Sequence, residues 1–353
     1  MTDLRHRLDA FVKLGSFFKE YCKYAKNQTQ IDDNQHTWFI KFDEILTLAG
    51  HKNGWFTPEN ILFSLESWAE LLTPSTLENW LAAYELDKSN PKCVALIMAG
   101  NIPLVGFHDF LSTIITGNKA LVKLSSNDKI LLPFVGQYLI EMEPSLKDQI
   151  SFADGKLEDF DAVIATGSDN TSRYFEHYFG KKPNIIRRNR NSVAILSGTE
   201  TSEELEALGE DIFRYYGLGC RSVSKLFVPK DYNFDALFKA VYPFNTIIEH
   251  HKYANNYDYN KAVYLMSLYK ILENGFLMLK EDKNYGSPIA TVFYEFYDTL
   301  EELKIRLTNE KEKIQCVVAN GFKNDEILFG QTQKPSLSDY ADNIDTVDFL
   351  LKT

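Results

Sequence analysis

The chain has 353 residues, 44% of them hydrophobic and 25% charged, and its formal net charge is −11. That length suits two domains with extra segments, and the composition is that of an ordinary globular protein. The acidic balance excludes a typical nucleic-acid groove, which needs clustered Lys and Arg. No apolar run reaches the roughly 18–20 residues of a membrane span, and the opening MTDLRHRLDAF lacks the layout of a secretion signal. The four cysteines, Cys22, Cys93, Cys220 and Cys316, lie far apart. A reducing cytoplasm is therefore expected, with no disulfide and no bound metal.

Residues 1–86 read as helices. Leu4, Leu8, Phe11, Gly15, Phe18 and Cys22 recur at helical spacing. Thr57-Pro58 and Thr73-Pro74 each place a capping Thr before a Pro at the first helical position. From Cys93 the pattern changes. CVALIM (93–98) is a continuous apolar run of buried-strand length, and Ala99-Gly100-Asn101 forms a turn. A helix is expected from Pro103 to Gly117, then a strand at KALVKL (119–124). Such a βαβ unit predicts parallel strands. A helix over 130–142, a short strand at 150–153, a strand at FDAVIA (160–165) and a helix to Phe179 continue the alternation. Arg187-Arg188-Asn189-Arg190 reads either as a phosphate-facing cluster or as a solvated turn. After SVAIL (192–196), Thr201 with Glu204 forms a capping box. Its helix carries Leu205, Leu208, Ile212 and Tyr216 on one face and stops at Gly217. KLFV (225–228), 275–280, 289–297 and 314–319 are later strands, HHKYANNYDYN (250–260) reads as an exposed loop or as the source of a general acid at His250 or His251, and the end as a polar tail.

Two positions carry chemistry. Cys93 and Cys316 lie in apolar strands and Cys22 on a buried helical stripe, which makes them core residues. Cys220 stands instead in a glycine-rich turn between helix and strand, where backbone amides can lower a thiol pKa and donate to an oxyanion. Asn101 follows a buried strand at the carboxyl edge of the sheet, where ligands of open α/β sheets gather. Its amide can serve such a site or simply cap the next helix. No G-x-G-x-x-G follows a strand, and Thr166-Gly167-Ser168 is the one phosphate-like turn.

In chain order these segments resemble the aldehyde-dehydrogenase superfamily and, more narrowly, the LuxC-type fatty acyl-CoA reductases. AGNIPLVGFHDFLSTIITGNKALVKLSSND resembles the first cofactor block, Thr166-Gly167-Ser168 the later turn over the cofactor phosphates, GLGCRSVSKLFVP the nucleophile segment, and FGQTQKPSLSDYADNIDTVDFL the tail. The resemblance implies an α/β, aldehyde-dehydrogenase-like fold. It comprises an N-terminal helical segment (1–88), a Rossmann-like NADP-binding domain (89–198), an α/β catalytic domain (199–325) and a C-terminal tail (326–353). It implies Cys220 as the nucleophile and Asn101 as an oxyanion-hole amide. Ile102, Pro103, Lys123, Ser125, Ser126, Gly167 and Ser168 would hold the cofactor. Ser126 stands where many NAD-preferring members carry a Glu, and Lys123 adds attraction for a 2′-phosphate, so NADPH is expected. The Glu that activates water in hydrolytic members has no counterpart near Arg187–Arg190. Its Glu-x-Phe-Gly-Pro block becomes Asn284-Tyr285-Gly286-Ser287-Pro288. A reductase that keeps its thioester fits this pattern better than an aldehyde oxidiser. The implied activity is reduction of an acyl-CoA or acyl-carrier-protein thioester to an aldehyde through an acyl-cysteine, by a homodimer. A cofactor-free cysteine acyltransferase or thioesterase, or a non-catalytic scaffold that keeps the fold, is the alternative.

Overall fold

The computed structural model describes residues 3–26, 33–86, 90–167 and 169–353. The chain divides into two compact units, Met1–Arg188 with Ser336–Thr353, and Asn189–Pro335.

The first unit begins with α1 (Leu4–Ala25), α2 (Asp33–Lys52), α3 (Pro58–Leu71) and α4 (Pro74–Leu81). Thr57 and Thr73 cap α3 and α4 as their Thr-Pro pairs predict, accepting from the amides of Asn60 and Thr76. The α1 stripe is buried at Phe11, Leu14, Phe18 and Cys22. Next come β1 (Cys93–Ile97), α5 (Phe107–Ile115), β2 (Lys119–Lys123), α6 (Leu131–Met142), β3 (Ile150–Phe152), β4 (Ala162–Thr166), α7 (Asp169–Phe179) and β5 (Asn184–Arg187). All five strands are parallel, in the order β3-β2-β1-β4-β5. Both faces are covered, which explains the unbroken apolar runs. Val94 and Leu96 join the large core with the helices, while Ala95, Val163 and Ala165 face a smaller core with Phe160.

Three expectations change here. The helix after β1 starts at Phe107, not Pro103, because residues 101–106 form turns and Leu104 has φ 55°. Strand β5 takes in Arg187, so the first arginine of the basic cluster is buried rather than in a solvated turn. The polar tail contains α12 (Thr346–Lys352), which buries Val347 and Leu350 in the same core as α5. Trp80 Nε1 donates to the Tyr340 hydroxyl at 2.8 Å, and the Tyr84 hydroxyl donates to Asp345 at 2.7 Å.

The second unit contains β6 (Asn191–Ile195), α8 (Ser202–Phe213), β7 (Val223–Pro229), α9 (Phe234–Ala240), α10 (His251–Met266), β8 (Ile271–Glu273), β9 (Met278–Glu281), β10 (Thr291–Tyr297), α11 (Leu300–Asn309) and β11 (Ile314–Val318). Its sheet order is β11-β6-β7-β10-β9-β8, parallel except for the antiparallel β8–β9 pair. Ala194, Leu226 and Val228 pack toward α8, while Val193, Ile195 and Phe227 pack toward Leu303 and Leu307 of α11. The Thr201–Glu204 capping box forms in full. Its helix ends at Phe213 rather than Gly217, because Tyr215 and Tyr216 adopt φ 55° and 59°. Residues 251–260 are the first part of α10, not a loop. Among the described residues no helix is long and apolar enough to cross a membrane.

Candidate active site

In the first unit the predicted cofactor residues share one sheet edge. The chain leaves β1 for β2 on one side and returns to β4 on the other, so the carboxyl ends of β1 and β4 border a topological switch point. Asn101, Ile102 and Pro103 follow β1, Lys123 ends β2 with Ser125 and Ser126 beyond it, and Gly167 follows β4. Ser168 lies outside the described residues. The β1 and β2 turns touch: a Cβ on Gly100 would stand 2.7 Å from Ser125 Cβ and Oγ, so this approach requires glycine. The helices hold the same turn. Asn53 Nδ2 donates to the Gly100 carbonyl at 3.3 Å, and Ser64 Oγ donates to the Pro103 carbonyl at 3.2 Å. The N-terminal helices thus have a positioning role that their sequence, which carries no motif, does not advertise. Asn101 is not the cap of α5, whose N-cap is Gly106.

Near these turns the edge carries one exposed cation and one buried carboxyl. The Lys123 ammonium is exposed at the end of β2. Asp128, the carboxylate of the Leu124–Asp128 turn, accepts from the amides of Ile130 and Leu131 at the start of α6. Burial raises its pKa, against the lowering effect of those two amides. At the far edge the Arg187 guanidinium is buried and forks onto Asp109 of α5, with Nη2 2.8 Å from Oδ1 and 3.2 Å from Thr346 Oγ1. Arg187 is thereby committed to a structural ion pair. Arg188 pairs with Glu176 at the surface.

In the second unit Cys220 is the one exposed cysteine, while Cys93 is half-buried and Cys22 and Cys316 are buried. Its turn is strongly constrained. Tyr215, Tyr216 and Gly217 are three successive residues in the left-handed region, with φ 55°, 59° and 73°. For the two tyrosines this costs roughly 1–2 kcal/mol each, which surrounding contacts must offset. The Tyr216 ring lies 4.4 Å from that of His250, which stands just before α10. The Leu218 amide donates to the Tyr215 carbonyl at 3.1 Å, and the Ser222 amide to the Gly219 carbonyl at 3.0 Å. Ser192 Oγ, at the start of β6, donates to the Cys220 carbonyl at 2.9 Å. The altered Asn284–Pro288 block is fastened to β7, since Ser224 Oγ donates to the Tyr285 carbonyl at 2.9 Å. Phe107 and Phe110 are fully buried core residues. Among the described residues no group of three or more His, Cys, Asp or Glu gathers to hold a metal.

Sequence reasoning missed Ser192, Asp211 and the segment Gly330–Gln333. Asp211 left a signal: it falls on the apolar stripe of α8 with Leu205, Leu208 and Ile212, all buried. A carboxylate there demands a buried partner.

The model of one protein family, acyl-CoA reductase (LuxC), matches residues 23–237. Among solved structures, the aldehyde dehydrogenase ALDH21 from Physcomitrella patens, in complex with the reaction product succinate, is similar at TM-score 0.65 and 13% identity, covering 99% of this chain and 84% of that one. The aldehyde dehydrogenase KauB from Pseudomonas aeruginosa gives TM-score 0.65 and 13% identity, over 92% of this chain and 78% of that one. An indole-3-acetaldehyde dehydrogenase complexed with NAD+ gives 0.63 and 13%, over 90% and 72%. At these identities the likeness establishes the fold, which is the aldehyde-dehydrogenase fold expected from the sequence. No curated protein matches the chain.

Proposed function

Because the chain belongs to the acyl-CoA reductase (LuxC) family, we propose that it reduces an acyl-CoA or acyl-carrier-protein thioester to an aldehyde with NADPH, holding the acyl group on Cys220. The observation that carries this reading is the exposure of Cys220 alone among the four cysteines, in a turn held by Ser192.

The Cys220 thiolate attacks the thioester carbonyl and the carrier thiol leaves, which gives an acyl-cysteine. The Cys220 backbone amide donates to the developing oxyanion, and the resemblance gives Asn101 the same task, each donor contributing on the order of 3 kcal/mol. A bound nicotinamide cofactor supplies the hydride. Cys220 is then the leaving group when the thiohemiacetal collapses, so the thiolate is restored as the aldehyde departs. The cofactor residues of this reading are Ile102, Pro103, Lys123, Ser125, Ser126, Gly167 and Ser168. NADPH is favoured because Lys123 offers a cation and Ser126 no carboxylate to oppose a 2′-phosphate. A protein lacking a base carboxylate keeps its thioester for reduction rather than hydrolysing it.

Intact mass spectrometry after incubation with an acyl-CoA series tests the reading. A mass gain on the wild-type chain that NADPH discharges, absent in Cys220→Ala, is expected. Aldehyde formation that persists in Cys220→Ala would overturn it, and release of free acid alone would favour a thioesterase. Light scattering tests the homodimer, which a single-chain mass would refute.

A further inference from the structure

The segment Gly330–Gln333 ties helix α8 to the turn that carries Cys220. At one end it is bolted to Asp211, whose side chain is fully buried. Asp211 Oδ2 accepts from the Gly330 amide at 2.7 Å. Its Oδ1 accepts from the Thr332 amide at 2.9 Å and from Thr332 Oγ1 at 2.8 Å. Gly330 has φ +79°, and a Cβ there would lie 3.1 Å from Ala207 Cβ, so the segment lies flush on α8. At its other end it grips the two residues that follow the nucleophile. The Thr332 carbonyl accepts from Arg221 Nε, and Gln333 Nε2 donates to Ser222 Oγ at 3.3 Å. Thr332 is fully buried and Gln333 nearly so, and the Gln333–Ser222 bond is shielded from water, while the half-buried Arg221 reaches the strap from the surface side.

We propose that Asp211 is a positioning residue for Cys220: by holding the Gly330–Gln333 strap it fixes Arg221 and Ser222, and with them the aim of the thiol. The Ser192 bond holds the carbonyl of Cys220 from β6, and the strap holds the following two side chains from α8. The turn is thus clamped on both sides against the left-handed backbone at Tyr215–Gly217. The consequence for turnover rests on the reading of Cys220 as nucleophile, whereas the mechanical coupling does not.

Amide hydrogen exchange on the full chain separates the two. In Asp211→Asn an amide nitrogen replaces one accepting oxygen, and in Thr332→Val the hydroxyl is lost. Both are expected to speed exchange at Gly219–Val223 about tenfold, the effect of one lost hydrogen bond on local opening. Thr332→Ser, which keeps the hydroxyl, should restore wild-type exchange. In acyl-CoA reduction the first two should lower kcat with little change in KM for the nucleotide. Should Asp211→Asn fail to fold, Gln333→Leu removes the Ser222 link alone and should still loosen the turn. Faster exchange confined to residues 328–334, with Gly219–Val223 unchanged, would overturn the proposal. If Cys220→Ala still makes aldehyde while exchange behaves as stated, the function reading fails and the coupling stands.

Discussion

Two buried aspartates, one in each unit, solve the same problem differently. Asp109 on α5 and Asp211 on α8 both sit on faces that are otherwise buried, and both secure a segment distant in sequence. Asp109 meets the Arg187 guanidinium and so faces a full opposite charge. Asp211 is held by backbone amides and one hydroxyl. Its desolvation outweighs those hydrogen bonds, and the carboxyl is pushed up to about 6. A cation partner makes a fixture. Amide donors make a bolt that holds the segment but leaves the carboxylate sensitive to protonation.

The comparison breaks first at the ion pair. Asp109→Ala removes the carboxylate that faces the buried Arg187 guanidinium, and is expected to cost about 3–5 kcal/mol in denaturant unfolding. The double change Asp109→Leu with Arg187→Met should recover most of that loss. A single-variant cost near zero would show that the pair is solvated in practice. A smaller effect separates the two aspartates by pH. Folded Asp211 binds its proton more tightly than an exposed Asp, so its contribution to stability is greatest below the ordinary value of 3.8 and is lost as pH rises through about 6. The loss amounts to about 3 kcal/mol when fully desolvated, and less when water reaches the site. Unfolding of wild type and Asp211→Asn at pH 4 and pH 7 should therefore show the wild type's margin over the variant shrinking at the higher pH. Glu210, the neighbouring carboxylate that adds to the rise, is paired with Arg214. Parallel pH curves for the two proteins would end the distinction. The smallest expected effect is at the start of the same helix, where Thr201→Ala removes the capping box and should cost about 1 kcal/mol. A larger loss of melting temperature would mean that α8 carries the strap by its capped end as well.

The strands, the parallel βαβ order, the Thr caps and the exposed turn at Cys220 were legible in the sequence, because each is set by side chains within a few residues of one another. The unbroken apolar run also marked β1 as a buried strand. The start of α5 was misplaced by four residues' worth of turn chemistry, since Pro103 suits a helix start but the backbone at Leu104 does not follow it. The 250–260 stretch hid its helix because polar and aromatic residues alternate without an apolar stripe, and its buried residues are tyrosines and an asparagine.

What the sequence determined by itself was the family pattern and the local stage on which Cys220 stands. Only the tertiary structure decided what holds that stage. The bond from Asp211 to Thr332 spans 121 residues, and the fork from Arg187 to Asp109 spans 78. Such partners leave no periodic signal, because a buried charge selects its mate by position in space rather than by spacing along the chain. The exposed cysteine was readable in advance; the buried clamp behind it was not.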